Sequence, residues 1–239
     1  MRIILSLTIT IITFLNCSGA VFTFQSSGDY TDPGNWDSYP GTTLFTNDTL
    51  IIDANCQNID LTAFDGFIQF TENASEISIL DLTIYSDCQV EFLSSYIIIT
   101  ISGYFFHFDY NPIDFPDGAY VTIFNDGYGI DFNSCPIWDY IFVDYWNFGY
   151  QDSFLLECMD GSFYNEGTIN VQGGLFMLNV DLELGSGLIE GSSPYTIYPL
   201  NGTINQNCTN CNAIINNVEE IRLNQNSQIL GTLQINSPE

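Results

Sequence analysis

Lysine is absent from this 239-residue chain, arginine occurs only at positions 2 and 222, and histidine occurs once. Against them stand 29 acidic residues, a formal charge of −27 at pH 7. A field of that sign repels nucleic acid and anionic membranes, and it attracts Ca²⁺ and cationic partners. The shortage of bases also narrows the chemistry. Proton abstraction by a basic side chain would fall to Arg222, which sits between Ile221 and Leu223 and reads as an outward, solvated strand residue. The lone His107, in Phe105-Phe-His-Phe108, reads as a packed or edge residue rather than a general base. No catalytic triad and no phosphate loop can be assembled. A glycosidase needs only two carboxylates about 5–9.5 Å apart, but no acidic cluster singles itself out.

Long apolar runs are missing too. A spanning helix needs about 20 apolar residues, and the longest internal candidate, Tyr96–Phe106, is about half that length. The N-terminal run Ile3–Leu15 is also too short. With Arg2 before it and Ser18-Gly19-Ala20 after it, it has the three regions of a secretory signal peptide. Residues 1–20 are therefore expected to be cleaved, leaving a mature chain from Val21 with no transmembrane segment. One arginine against 29 acids then gives −28. The expected location is extracellular or at the cell surface, through the secretory pathway. The polar C-terminus carries no lipid-anchor tail. It also offers no recognisable cap, so truncation after Glu239 is among the expectations.

A large net charge can mean disorder, but 46% hydrophobic and 15% aromatic residues are enough to build a core. Six cysteines follow residue 20: Cys56, Cys88, Cys135, Cys158, Cys208 and Cys211. An even count in an exported chain reads as disulfides, although six cysteines allow 15 pairings. Cys208-Thr-Asn-Cys211 lacks the second CxxC or histidines of a tetrahedral zinc site. Sequons at Asn47, Asn73, Asn201 and Asn207 mark candidate N-glycosylation positions, which should be exposed.

No long segment keeps apolar residues at the helical spacing i, i+3, i+4, i+7. Period two dominates instead. In Phe176–Leu184, the residues Phe176, Leu178, Val180, Leu182 and Leu184 are apolar and alternate with Asn179, Asp181 and Glu183. That spacing predicts one nine-residue strand with a buried face. Similar stretches recur every eight to twelve residues, as in a sandwich, a barrel or a solenoid. Gly167-Thr-Ile, Gly187-Leu-Ile, Gly202-Thr-Ile and Gly231-Thr-Leu share one local step, and Asn165-Glu-Gly-Thr-Ile and Asn201-Gly-Thr-Ile repeat the turn before it. Stacked coils reuse an inward residue type while loop length varies. A β-sandwich, the alternative, has no reason to do so. Residues 21–239 are thus expected to form one all-β domain, a right-handed parallel β-helix. Residues 21–53 would be its N-terminal cap, with Trp36 over the open end or, on a livelier reading, binding a ligand.

The Asn–x–Gly-Thr-Ile turn, the pair Gly173-Gly174 and the next Gly–x–Ile resemble right-handed parallel β-helix proteins of cell surfaces, such as autotransporter passengers and filamentous-haemagglutinin-like adhesins. The resemblance is clearest over Gly161–Gly231. It implies a non-catalytic surface, matrix or adhesion protein with cell-surface or matrix proteins or glycans as partners.

Residues 104–150 hold 17 of the 36 aromatics and seven aspartates. A stacked core with aspartates in the turns is the plainer reading. Aromatic faces beside carboxylates also suit sugars, so a carbohydrate-binding or glycoside-hydrolase-type protein is the alternative function. Two short pieces could hold Ca²⁺. Asp109, Asn111, Asp114 and Asp117 place oxygen ligands close together before Gly118, though not at EF-hand spacing. Asp126 and Asp131 flank Gly127-Tyr-Gly129, a single partial copy of the calcium-binding nonapeptide.

Overall fold

The computed structural model describes residues 19–41, 47–64, 66–84, 89–107, 113–132, 142–152, 156, 161–172, 174–178, 180–199, 203–206, 213–223, 228–231 and 233–238. Every strand pair among them is parallel, and each strand pairs with the strand one coil away. The chain is therefore a parallel β-helix, a β-solenoid, and the sandwich alternative falls. Its longest sheet stacks ten strands in a row, from Gly28–Asp29 to Gln228–Gly231. Two five-stranded sheets and a three-stranded sheet form the other walls.

The reason lies in register. Cys56, Ile77, Ile99, Ile123, Tyr145, Phe163, Leu182, Ile204 and Ile229 stand directly above one another in the long sheet. All but Ile229 are buried. A second wall repeats the device with Phe24, Ile52, Phe70 and Phe92. A third column, Ile169, Ile189, Ile215 and Ile235, takes its first two members from the Gly–x–Ile/Leu steps at Gly167 and Gly187, whereas Ile204, from the step at Gly202, stands in the long sheet. Each fully buried Leu, Ile or Phe contributes roughly 1.5–3 kcal/mol. Aromatic rings in the columns stack flat, as in Phe70–Phe92 at 4.5 Å and 7° and Tyr145–Phe163 at 4.7 Å and 7°.

The predicted nine-residue strand is two strands. Leu175–Leu178 belongs to the three-stranded sheet and Asp181–Leu184 to the long one. Yet Phe176, Leu178, Val180, Leu182 and Leu184 are all buried, as the alternation requires. The chain turns a corner between the strands, and the interior stays on the same side of it.

At the N-terminal end, the segment after the 3₁₀ turn Pro33–Asn35 lies against the free edge of Val21–Phe24. Asp37 N donates to Thr23 O at 2.9 Å, and Gln25 N donates to Asn35 O at 2.7 Å. Trp36 is buried edge-on against Phe24 and Tyr30, with ring centroids 5.3 and 5.1 Å away, and its Nε1 donates to Tyr30 O.

Candidate functional site

The middle coils differ from the others in what they place inside and outside. Inside, Asn125, Asn147 and Asn165 close the strands Tyr120–Asn125, Phe142–Asn147 and Gly161–Asn165 in register, all fully buried. Asn125 Nδ2 donates to Asn147 Oδ1 at 2.8 Å, and Asn147 Nδ2 donates to Asn165 Oδ1 at 2.7 Å. The same amides reach the next wall, at Tyr150 O, Thr168 O and Leu188 O. Two residues on, Gly127, Gly149 and Gly167 turn the corner. A Cβ on Gly149 would lie 2.2 Å from Gly127 O, and one on Gly167 would lie 2.1 Å from Gly149 O. These carbonyls accept from Tyr150 N and Thr168 N, both at 2.8 Å. No side chain fits at such corners.

Outside, the alternation that buries Val121, Ile123 and Tyr145 turns aromatics to the surface. Phe124, Trp146 and Tyr164 occupy one outward position on successive coils, at 6.5 and 4.6 Å between ring centroids. Two residues earlier on the same strands stand Thr122, Asp144 and Ser162, continued by Asp181. Ser162 Oγ donates to Asp144. Two residues before Thr122 is Tyr120, paired in register with Tyr96. Past the corner come Tyr104, Tyr128 and Tyr150, at 6.4 Å steps. Tyr96, Tyr120, Tyr128, Trp146, Phe148 and Tyr150 are 38–67% exposed. A concentration of exposed rings of this kind marks an interaction surface. Tyr164 Oη donates to Glu166, which pushes its hydroxyl up to about 12.

The residues singled out in the sequence are scattered. Among the proposed calcium ligands, Asp114, Asp117 and Asp126 are exposed. Asp131 lies in the strand Gly129–Phe132 with its side chain outside the described residues, as are Asp109 and Asn111. No three His, Cys, Asp or Glu side chains among the described residues gather as a metal set. His107 ends the strand Tyr96–His107, its side chain outside the described residues. Arg222 is exposed and paired with Glu220 at 2.7 Å. Asn47 and Asn73 are exposed, while Asn201 and Asn207 lie outside the described residues.

One expectation needs correction. Cys56 is a free, buried thiol heading the inward column of the long sheet, not half of a disulfide. Its parity on the strand turns it to the core, and burial, with the nearby Asp29 charge, pushes the thiol up to about 12. Cys88, Cys135, Cys158, Cys208 and Cys211 lie outside the described residues. Cys56 also lines a groove of about 360 Å³ with Asn55, Gln57, Glu76, Ile77, Ser78, Ile98 and Thr100. Its lining carries one carboxylate, Glu76, where a glycosidase needs two.

The buried asparagines were missed because Asn165 reads as part of a polar turn. The signal was present: Asn–x–Gly recurs at 125, 147 and 165, the same interval as the register. The aromatic-rich stretch fits both a core and a sugar-facing surface, and only parity on each strand separates inward Tyr145 and Phe163 from outward Tyr120 and Trp146.

The class is thus a parallel β-helix with an internal asparagine ladder and an external aromatic face. No family model matches the chain, and no curated protein or solved structure matches it. The likeness to autotransporter passengers and filamentous-haemagglutinin-like adhesins rests on the β-helix alone.

Proposed function

We propose that the chain is a secreted, acidic surface, matrix or adhesion protein that works without catalysis, with the aromatic stripes of its middle coils as the contact face. One observation carries this: exposed rings stand beside one another on consecutive coils, Tyr96 in register with Tyr120 and Tyr128 against Tyr150, with Trp146 exposed between half-buried Phe124 and Tyr164. Burying such rings against a partner recovers apolar area, and Tyr and Trp are the residues that dominate contact energies. The signal-like residues 1–20 support export. Attachment of beads coated with the protein to cells or matrix tests the reading. The Tyr128→Ala/Trp146→Ala/Tyr150→Ala variant should attach at a small fraction of the wild-type level, and attachment at the wild-type level would overturn it.

A carbohydrate-active protein is the second reading, favoured by Asp144 and Glu183 standing beside or in line with the aromatic stripe. Calcium at the acidic turns remains a proposal of its own. It is tested by melting the protein in calcium and then in EDTA, since a bound ion raises the native state's stability. An unchanged melting temperature ends it.

A further inference from the structure

We infer that the outer face of the middle coils is a track for a neutral, linear, β-linked polysaccharide lying along the solenoid axis. This deepens the contact-face reading and rests on it. Three stripes run parallel to the axis. Tyr96 and Tyr120 form the first, Thr122, Asp144, Ser162 and Asp181 the second, and Phe124, Trp146 and Tyr164 the third. Adjacent stripes are two residues apart along each strand, about 6.6–6.8 Å, roughly the width of a pyranose ring.

The chemistry of the stripes is complementary to a sugar. A pyranose has an apolar C–H face and a rim of hydroxyls. The ring stripes offer large apolar surfaces, and the polar stripe, which runs between Tyr120 and Phe124 at Thr122 and beside Trp146 and Tyr164 at Asp144 and Ser162, offers hydroxyls and carboxylates that accept sugar O–H groups. Charge narrows the ligand further. Asp144, Asp181 and Glu183 border the track, and the sole arginine after residue 20 lies at position 222, paired with Glu220. A uronate or sulfated chain would meet repulsion with no cation to hold it.

The repeat selects an extended chain. Coils rise about 4.7–4.9 Å each, and the ring centroids of Phe124, Trp146 and Tyr164 follow at 6.5 and 4.6 Å. The coil rise is close to the length of one pyranose in an extended β-linked glycan, so successive sugars can meet equivalent positions on successive coils. A chain crossing the coils at right angles would follow one strand, meeting Tyr120 and Phe124 four residues apart, and would leave the rings of the neighbouring coils unused.

The test uses the whole chain in affinity gels and calorimetry with cellulose and xylan oligosaccharides of two to six sugars, and with polygalacturonate as the anionic probe. Affinity should rise from the disaccharide to about the trisaccharide and then level off, because three rings on successive coils meet three successive sugars. Tyr120→Ala/Trp146→Ala should weaken the hexasaccharide at least tenfold, while Leu223→Ala, an exposed apolar residue elsewhere, should not. Polygalacturonate should not bind. Absence of binding to every neutral oligosaccharide, indifference to the double substitution, or preference for polygalacturonate would each overturn the inference. If attachment to cells still depends on Trp146 while the oligosaccharides fail, the contact-face reading stands with a protein partner and only the glycan falls. If neither depends on Trp146, both fall.

Discussion

The first coils of the long sheet and its middle coils solve one packing problem differently. Cys56–Phe64, Glu76–Ile84 and Tyr96–His107 pair through apolar columns, and their register shifts at several points, between Cys56 and Ile59, Leu61 and Phe64, and Ile79 and Asp81. Tyr120–Asn125, Phe142–Asn147 and Gly161–Asn165 pair without a shift. The middle coils end in the asparagine ladder, and the first do not. Apolar contact is non-directional and tolerates a slip. A buried amide bonded to its copy above does not, because a slip leaves donors and acceptors unpaired in a low-dielectric interior. Burial holds the first coils together, and burial plus alignment holds the middle ones.

The largest way to break the contrast is at a corner. Gly149→Ala drives a methyl group into Gly127 O, and urea unfolding should show a loss of at least about 3 kcal/mol. Next is the centre of the ladder. Asn147→Ala removes the side-chain donor to Asn165 Oδ1 and the acceptor of Asn125 Nδ2 and should cost about 1–3 kcal/mol, from an unsatisfied buried group. Ile99→Val, in the apolar column below, should cost only about 0.5–1.5 kcal/mol.

A sharper comparison extends the ladder downward. Ile101 lies in register with Asn125, and Ile99 with Ile77 and Ile123. Both Ile101→Asn and Ile99→Asn lose apolar burial, but only the first gains an amide neighbour. The first should be the milder by about 1–2 kcal/mol, and equal losses in urea would mean that the ladder does not set alignment. Alkali should act through buried acidic protons, that of Cys56 in the first coils foremost. The Cys56 thiol is raised from 9.0 to about 12 by burial, so above pH 9 the unfolded chain releases this proton while the folded chain keeps it. Stability should therefore fall between about pH 9 and 12, and Cys56→Ala should flatten that fall. Buried Tyr145 and Tyr195 hydroxyls, also raised, act in the same direction. Smallest of all, Arg222→Gln breaks a pair exposed on both sides and should leave the melting temperature unchanged.

Much of the β-helix was legible because its rule is local. Period two marked inward residues, and Phe176–Leu184 kept its parity through a corner that alternation alone could not reveal. The recurring Gly–x–Ile/Leu step marked positions that stack at Ile169 and Ile189, but the same step put Ile204 in another wall, since the motif marks an inward residue and not which sheet it joins. The asparagine ladder was less legible because a residue's polarity argues for the surface, and only its interval argues for the core. The aromatic face was hidden for the opposite reason: rings argue for the core, and only their parity, as in Tyr120-Val-Thr-Ile-Phe124, argues for the surface. Cys56 shows the same logic, since a count of cysteines says nothing about which way one of them points.

The register also sets the order in which the chain can fold. Among the described residues, no aligned pair lies more than 28 positions apart, the span from Val21 to Thr49 or Gly28 to Cys56. A coil needs only its predecessor as a template, so loop closure never has to bridge the length of the molecule. The segment around Trp36 covers the outer edge of the first strand before any later coil exists. With that edge covered, the stack is open to further strands on its other side, and each coil finds the surface it needs in the one before it.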